Sequence, residues 1–291
     1  MLSRVFREMM PPLLRNKVLL TKVVPSILLN ALNPKHRCQL FYDALSTQIQ
    51  AIPEIERLFP QDEVRGHYVY GNVRDSIEHP DLFITQLRYY RMYQFFKRHF
   101  PEIFSSGVSV LDIGDTSGMF LRALGKKGVS LNINQECVDF IRSKGIEAVQ
   151  GDAESLDFDD NSVDYVFSFQ CLEHLPNPIK ALNEWGRVAR KRVFLSIPYV
   201  DTTHIYNIAY WVNLKKTSWK EDNVRAVDCH IFEFSTQDFI NILSHTNLDY
   251  ETNFPILYFE NNTFRQRLLN KAFGSYFNFF VLKPTEKKTI Y

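Results

Sequence analysis

From residue 108 onward the apolar and polar positions switch period in a regular way. Short apolar runs at Val108 to Ile113, Val129 to Ile133, Glu147 to Gln150, Val163 to Phe169 and Arg192 to Ile197 read as strands. Between them, Met119 to Lys127, Gln135 to Lys144 and Ile179 to Ala189 read as helices. In the last of these, Ile179, Leu182, Trp185 and Val188 fall along one face. A further helix is predicted over Ser235 to His245, with Ser235 as N-cap and Asp238 three residues on, close to a capping box. Leu248 to Tyr258 and Tyr276 to Leu282 read as strands, separated by a helical stretch from Thr263 to Lys271. Alternation on this scale predicts an α/β fold, a doubly wound and mostly parallel sheet with helices on both faces. The final strand, arriving after a helical detour, can enter antiparallel at the edge.

The first hundred residues have a different rhythm. They read as helical, punctuated by Pro11, Pro12, Pro25, Pro34, Pro53 and Pro60. Leu82 to Phe100 carries Phe83, Leu87, Tyr90, Tyr93 and Phe96 at three- and four-residue intervals, which builds one apolar face. Core packing is the plain use of that stripe, and a substrate lid is the sharper one. The expected division is a helical N-terminal extension or cap over residues 1–100 and an α/β domain over residues 101–291.

Composition changes this picture little. The chain of 291 residues is 45% hydrophobic and 23% charged with a net charge of +1, which gives no global case for nucleic-acid binding. The charge is uneven, however. Residues 1–37 carry seven Lys or Arg (Arg4, Arg7, Arg15, Lys17, Lys22, Lys35, Arg37) against Glu8 alone. Val18 to Leu32 is apolar but is interrupted by Lys22 and Pro25 and is too short to span a bilayer. A helical hairpin packed on the main domain is the preferred reading of this segment, and peripheral contact with an anionic membrane surface is the other. The four cysteines, Cys38, Cys137, Cys171 and Cys229, have no metal-site spacing. They read as reduced thiols of a cytoplasmic protein, and no metal site is expected.

The candidate chemistry sits at the strand ends, where open α/β sheets bind ligands. The first strand runs into Asp112-Ile113-Gly114-Asp115-Thr116-Ser117-Gly118 and then a helix, an arrangement that aims backbone N–H groups at an anion or a nucleotide-like cofactor. Asn132-Ile133-Asn134 follows the second strand and Gly151-Asp152-Ala153-Glu154 the third. Gln170-Cys171-Leu172-Glu173-His174-Leu175-Pro176 follows the fourth, and Ile197-Pro198-Tyr199 the fifth.

In these motifs and their spacing the chain resembles the class I S-adenosylmethionine-dependent methyltransferases. The nearest likeness is to the small-molecule branch that includes the ubiquinone- and menaquinone-biosynthesis type (methyltransferase type 11). The resemblance covers roughly residues 105–285. It implies a Rossmann-like seven-strand sheet and S-adenosyl-L-methionine as cofactor. It also implies that Gly114 and Gly118 let the backbone approach the methionine and ribose, with Asp112 organising the turn beside the cofactor's amino end. Asn132 would meet the ribose, Asp152 and the Ala153 N–H the adenine, and the Gln170 backbone the methionine amino group. Three departures stand out. Thr116 replaces the usual middle glycine and Asn132 the usual ribose-binding acid. Arg190-Lys191-Arg192 stands where a Pro-Gly-Gly turn is common.

The Asn/Asp-Pro-Pro-Tyr/Phe motif of nucleic-acid amino methyltransferases is missing, so no nucleic-acid partner is expected and the acceptor is read as a small molecule. Candidate proton acceptors are His174, His204 and His230, with Glu173 and Tyr199 close by in sequence. Tyr206, Tyr210, Trp211 and Trp219 in the long connection from Tyr199 to Val227 suggest an apolar, lipid-like or ring-bearing acceptor, or else a small satellite core. The expected activity is methyl transfer to a hydroxyl or carbon of a small, lipid- or sugar-linked metabolite. The alternative from another class is a catalytically degenerate relative that serves as a binding or scaffolding module. A dinucleotide oxidoreductase ranks well behind, because the full Gly-x-Gly-x-x-Gly pattern is lacking.

Overall fold

The computed structural model describes residues 43–61, 63, 81–125, 128–198, 231–232, 234–257, 259, 266 and 275–286. Among the described residues, a helical segment over 43–50, α1 (Pro53–Leu58), α2 (Asp81–His99) and a 3₁₀ turn at Pro101–Phe104 precede the sheet. Then come β1 (Val110–Ile113), α3 (Met119–Ala123), β2 (Val129–Asn132), α4 (Gln135–Ser143), β3 (Glu147–Gln150) and β4 (Val163–Phe169). They are followed by α5 (Pro178–Val188), β5 (Ala189–Pro198), α6 (Thr236–Leu243), β6 (Leu248–Leu257) and β7 (Ser275–Pro284). The basic N-terminal segment, Cys38, the aromatic stretch from Tyr199 to Val227, Cys229, His204 and His230 lie outside the described residues, as does all but Gln266 of the helical stretch expected over 263–271.

The seven strands form one sheet in the order β3-β2-β1-β4-β5-β7-β6. Strands β1 to β5 pair in parallel, while β7 runs antiparallel to both β5 and β6. The last strand therefore enters between β5 and the edge strand β6. Every residue of β1 and β4 is buried, as expected of central strands covered on both faces. Edge strand β6 keeps Asp249 to Thr252 exposed.

Alternation along the strands divides the core into two layers. On one face, Phe96 of α2 packs against Phe167, Phe194 and Phe279 at centroid distances of 5.0, 4.8 and 5.8 Å. Leu45, Ile55, Phe59, Leu87 and Tyr90 belong to the same buried cluster, so the apolar stripe of α2 is spent on the sheet and not on a lid. On the other face, Trp185 and Leu182 of α5 pack with Val166, Leu195, Phe239 and Phe280. Apolar burial on this scale is what holds the two helical layers to the sheet.

The basic run at the start of β5 has a local cause. Helix α5 passes directly into β5 with no intervening turn, and each cation is matched to an acid. Arg190 and Lys191 both pair with Asp164 at 3.1 and 3.2 Å, and Arg192 pairs with Glu251 at 2.7 Å. At α6 the expected capping box is complete: the Ser235 hydroxyl accepts from the Asp238 N–H, and the Asp238 carboxylate accepts from the Ser235 N–H. Among the described residues no helix is long and apolar enough to cross a membrane.

Candidate active site

Strand order reverses between β1 and β4, so their carboxyl ends diverge around a crevice. Backbone hydrogen bonds fix those ends in place. The Gly114 N–H donates to the Leu131 carbonyl at 2.8 Å, Gly151 N–H to Asn132 at 3.1 Å, and Gln170 N–H to Ser196 at 2.9 Å.

The turn after β1 is organised from within. The carboxylate of Asp115 accepts from the N–H groups of Ser117 and Gly118 at 2.9 Å and from the Ser130 hydroxyl at 3.1 Å. The donors expected to point at a ligand are thus already held by the turn's own side chain, and it is Asp115 rather than Asp112 that organises the turn. Gly114 and Gly118 both adopt left-handed φ, +81° and +69°, whereas Thr116 does not. A middle glycine is therefore not required here. The reason for the two glycines is also internal. A Cβ on Gly114 would lie 2.6 Å from Cys171 Sγ, and one on Gly118 would lie 3.0 Å from an Ile141 methyl.

Asn132 is bound into the same turn. Its Nδ2 donates to the Asp115 carbonyl at 2.7 Å, and its Oδ1 accepts from the Asn134 N–H at 2.8 Å. One amide hydrogen and one lone pair are left over for a ligand. Beside it Ile133 is 70% exposed, a large apolar side chain at the ligand edge of the sheet that the sequence reading passed over. Asp152 is exposed and accepts from the Glu154 N–H at 2.8 Å. Ala153 is buried and its carbonyl accepts from the Trp185 indole at 3.0 Å. Glu154 is structural: its two oxygens take the Asn177 N–H and side-chain amide at the start of α5, at 2.7 and 2.9 Å.

After β4, Gln170 is a buried non-glycine residue at φ +59°, the kind of local strain that tends to collect at functional sites. The short 3₁₀ turn Leu172–His174 follows, with His174 half-buried and its N–H donating to the Cys171 carbonyl. Here the electrostatics are unusual. Glu173 has no exposed surface, and neither carboxylate oxygen has a hydrogen-bond partner among the described side chains. Burial pushes its pKa up to about 8 against the opposing pull of its own amide and Arg88. Asp112 is also raised well above the ordinary carboxylate range, first by burial and then by the neighbouring Asp115, with Arg88 opposing. Burial raises Asp115 too, countered by the hydrogen bonds it accepts from Ser117, Gly118 and Ser130. The Cys171 thiol is pushed up to about 12 by burial and by Glu173, so it is no thiolate nucleophile.

Arg88 of α2 is the cation that acts on both Asp112 and Glu173. It is 92% buried by position in the core yet makes no ion pair among the described residues; its guanidinium lies over the Tyr89 and Phe277 rings at 5.1 and 4.8 Å. Nothing in the sequence marks it, because it follows Leu87 on a helix read only for its apolar stripe. Of the expected residues, Asp112, Gly114, Gly118, Asn132, Asp152, Ala153, Gln170 and His174 all occur at the carboxyl-end crevice or the loops leading from it. Among the described residues no group of three His, Cys, Asp or Glu could hold a metal ion.

Residues 111–197 match the family model described as a methyltransferase domain. The matched part, with the seven-strand sheet built around it, has the fold of the class I methyltransferases. The domain match runs from β1 through β5 and excludes α2, β6 and β7. A biotin biosynthesis bifunctional protein from Cellvibrio japonicus (strain Ueda107) is 34% identical over 87 residues, 28% of this chain and only 17% of that relative. Magnesium protoporphyrin IX methyltransferase from Synechocystis PCC 6803, solved with bound SAH, is similar in fold with a TM-score of 0.52 at 12% identity, over 75% of this chain and 91% of that one. A candidate sarcosine dimethylglycine methyltransferase from Galdieria sulphuraria is similar with a TM-score of 0.52 at 14% identity, over 80% of this chain and 98% of that one.

Proposed function

We propose that the chain is an S-adenosylmethionine-dependent methyltransferase acting on a hydroxyl or carbon of a small molecule, lipid- or sugar-linked in character. The observation that carries this reading is the buried Glu173, whose two carboxyl oxygens lack hydrogen-bond partners among the described residues, beside the buried Asp112 at the point where strand order reverses. Such groups are costly unless a ligand satisfies them. The cofactor is a cation at its sulfonium and at its amino group, which suits a crevice richer in acids than in bases.

The remaining residues fit the same group. Asp152 is exposed and free to accept from an adenine amine, with the Ala153 N–H beside it. Ile133 offers an apolar surface to a ring, and Asn132 retains one donor and one acceptor for a ribose hydroxyl. The strained Gln170 presents its backbone to the crevice. When bound, the cofactor supplies an electrophilic methyl on sulfur. The chain's part is to orient the acceptor in line with it and to take the proton of a hydroxyl. Of the three proposed proton acceptors, His174 is described and sits on the turn after β4; His204 and His230 lie outside the described residues. For residues 1–37 the proposed reading is a helical hairpin packed on the main domain, with peripheral membrane contact as the alternative.

One observation favours a second reading, a non-catalytic binding module: Asp115 occupies the turn's N–H groups, and Asn132 is half spent on the same turn. Calorimetric titration with S-adenosylmethionine, S-adenosylhomocysteine and NAD separates the readings. Binding of the first two, weakened about tenfold by Asp152→Ala and abolished by Gly114→Arg, supports the cofactor site. No binding of either to the unaltered chain overturns it. Binding without methyl transfer to any acceptor in a metabolite extract supports the second reading.

A further inference from the structure

Arg88 is 8% exposed, and its Nε is buried without a partner. No carboxylate reaches within ion-pair distance of it among the described residues, although Asp112 and Glu173 feel its charge. Its guanidinium is held between the rings of Tyr89 and Phe277. Stacking of that kind fixes the plane of the group; it also hydrogen-bonds the Tyr89 side chain, and its Nε–H is left without a partner and suited to an anion.

Its position within the crevice indicates what the anion belongs to. The residues proposed for ribose and adenine, Asn132 and Asp152, lie at the ends of β2 and β3. Phe277 lies on the other side of β4, where it pairs in register with Pro198 at the end of β5. Arg88 therefore lies between Asp112 and Glu173 at the switch point, whose charges it acts on, and the β7 side of the sheet, away from Asn132 and Asp152. We propose that Arg88 is the docking point for a negatively charged group of the acceptor, a carboxylate or a phosphate, so that the substrate of this domain is an anionic small molecule. This rests on the cofactor assignment above, and it names a specificity residue outside the matched family segment.

The test uses the full chain saturated with S-adenosylhomocysteine, titrated with phenylacetate, phenyl phosphate and the neutral 2-phenylethanol. At least one anionic probe is expected to bind ten times more tightly than the neutral one. Arg88→Met should remove that advantage, Arg88→Lys should retain part of it, and neither should alter the affinity for S-adenosylhomocysteine. A preference for phenylacetate assigns a carboxylate acceptor, and one for phenyl phosphate a phosphorylated acceptor. Equal binding of the neutral probe, or anion binding unchanged in Arg88→Met, overturns the inference. So does a loss in Arg88→Met that falls on S-adenosylhomocysteine alone, since Arg88 would then serve the cofactor's own carboxylate. If the unaltered chain binds no S-adenosylhomocysteine, the cofactor assignment fails, and the same three probes titrated against the chain alone still decide the role of Arg88.

Discussion

The side-chain amide of Asn132 donates to the backbone carbonyl of Asp115 at 2.7 Å, tying the end of β2 to the turn after β1. A carboxylate at position 132 would set two acceptors against each other. This explains why the acid usual at this position is absent here. Asn132→Asp is expected to cost about 1–3 kcal/mol at neutral pH. In urea titrations the deficit should shrink below about pH 4, where the new acid is protonated and can donate. A variant as stable as the parent at pH 7 would show that the bond contributes nothing.

Asp115 itself carries more of the turn. Replacing it by Ala removes the acceptor of two backbone N–H groups and the Ser130 hydroxyl. The expected loss is roughly 2–3 kcal/mol, with Asp115→Asn intermediate because one acceptor oxygen remains. Amide hydrogen exchange at Ser117 and Gly118 provides a local readout, and protection there should fall in Asp115→Ala.

Gly114 and Cys171 form a second coupled pair. Gly114→Ala brings a Cβ within 2.6 Å of Cys171 Sγ and 2.7 Å of its Cβ. Overpacking of this kind costs about 1–3 kcal/mol, and the left-handed backbone adds about 1 more. Adding Cys171→Gly should recover the packing part and leave the backbone part. Thermal denaturation of the two singles and the double closes the cycle, and strict additivity would rule out the contact as the cause.

The raised pKa of Glu173 has a definite sign. Its carboxyl holds a proton up to about pH 8 in the folded chain, against an ordinary 4.5, so the folded state binds more protons between those values. Stability is therefore greatest at the acidic end of that window and is lost as pH rises through it. Asp112 and Asp115 act in the same direction. Glu173→Gln should be more stable than the parent at pH 9 by roughly 2–4 kcal/mol, and nearly equal to it at pH 5. Guanidinium titrations at the two pH values check this, and a parent stability that rises with pH would contradict it.

Much of the architecture was legible because burial leaves a mark on periodicity. Strands such as Val163–Phe169 matched residue for residue, whereas β5, expected from Arg192 to Ile197, begins at Ala189 and takes in Arg190 and Lys191. Asp164 and Glu251, the partners of Arg190, Lys191 and Arg192, are distant in sequence, and no local pattern reveals them. The site was legible as a set of positions but less so in its internal chemistry. The turn's glycines read as openings for a ligand, yet Cys171 and Ile141 fill the space a Cβ would take. Asp115, given no role in the sequence pattern, holds the turn together. Arg88 was invisible because a helix stripe reports only which residues are apolar. The long-range charge environment of Glu173 depends on which elements meet, and only the fold supplies that.

The antiparallel insertion of β7 imposes an order of events on synthesis. Strand β6 is made before β7, but its only sheet neighbour is β7. Until that last strand emerges, β5 presents an open apolar edge and β6 has nothing to pair with. The nascent chain must therefore carry an incomplete five-strand sheet past residue 275, a state open to mispairing and a natural client for chaperones.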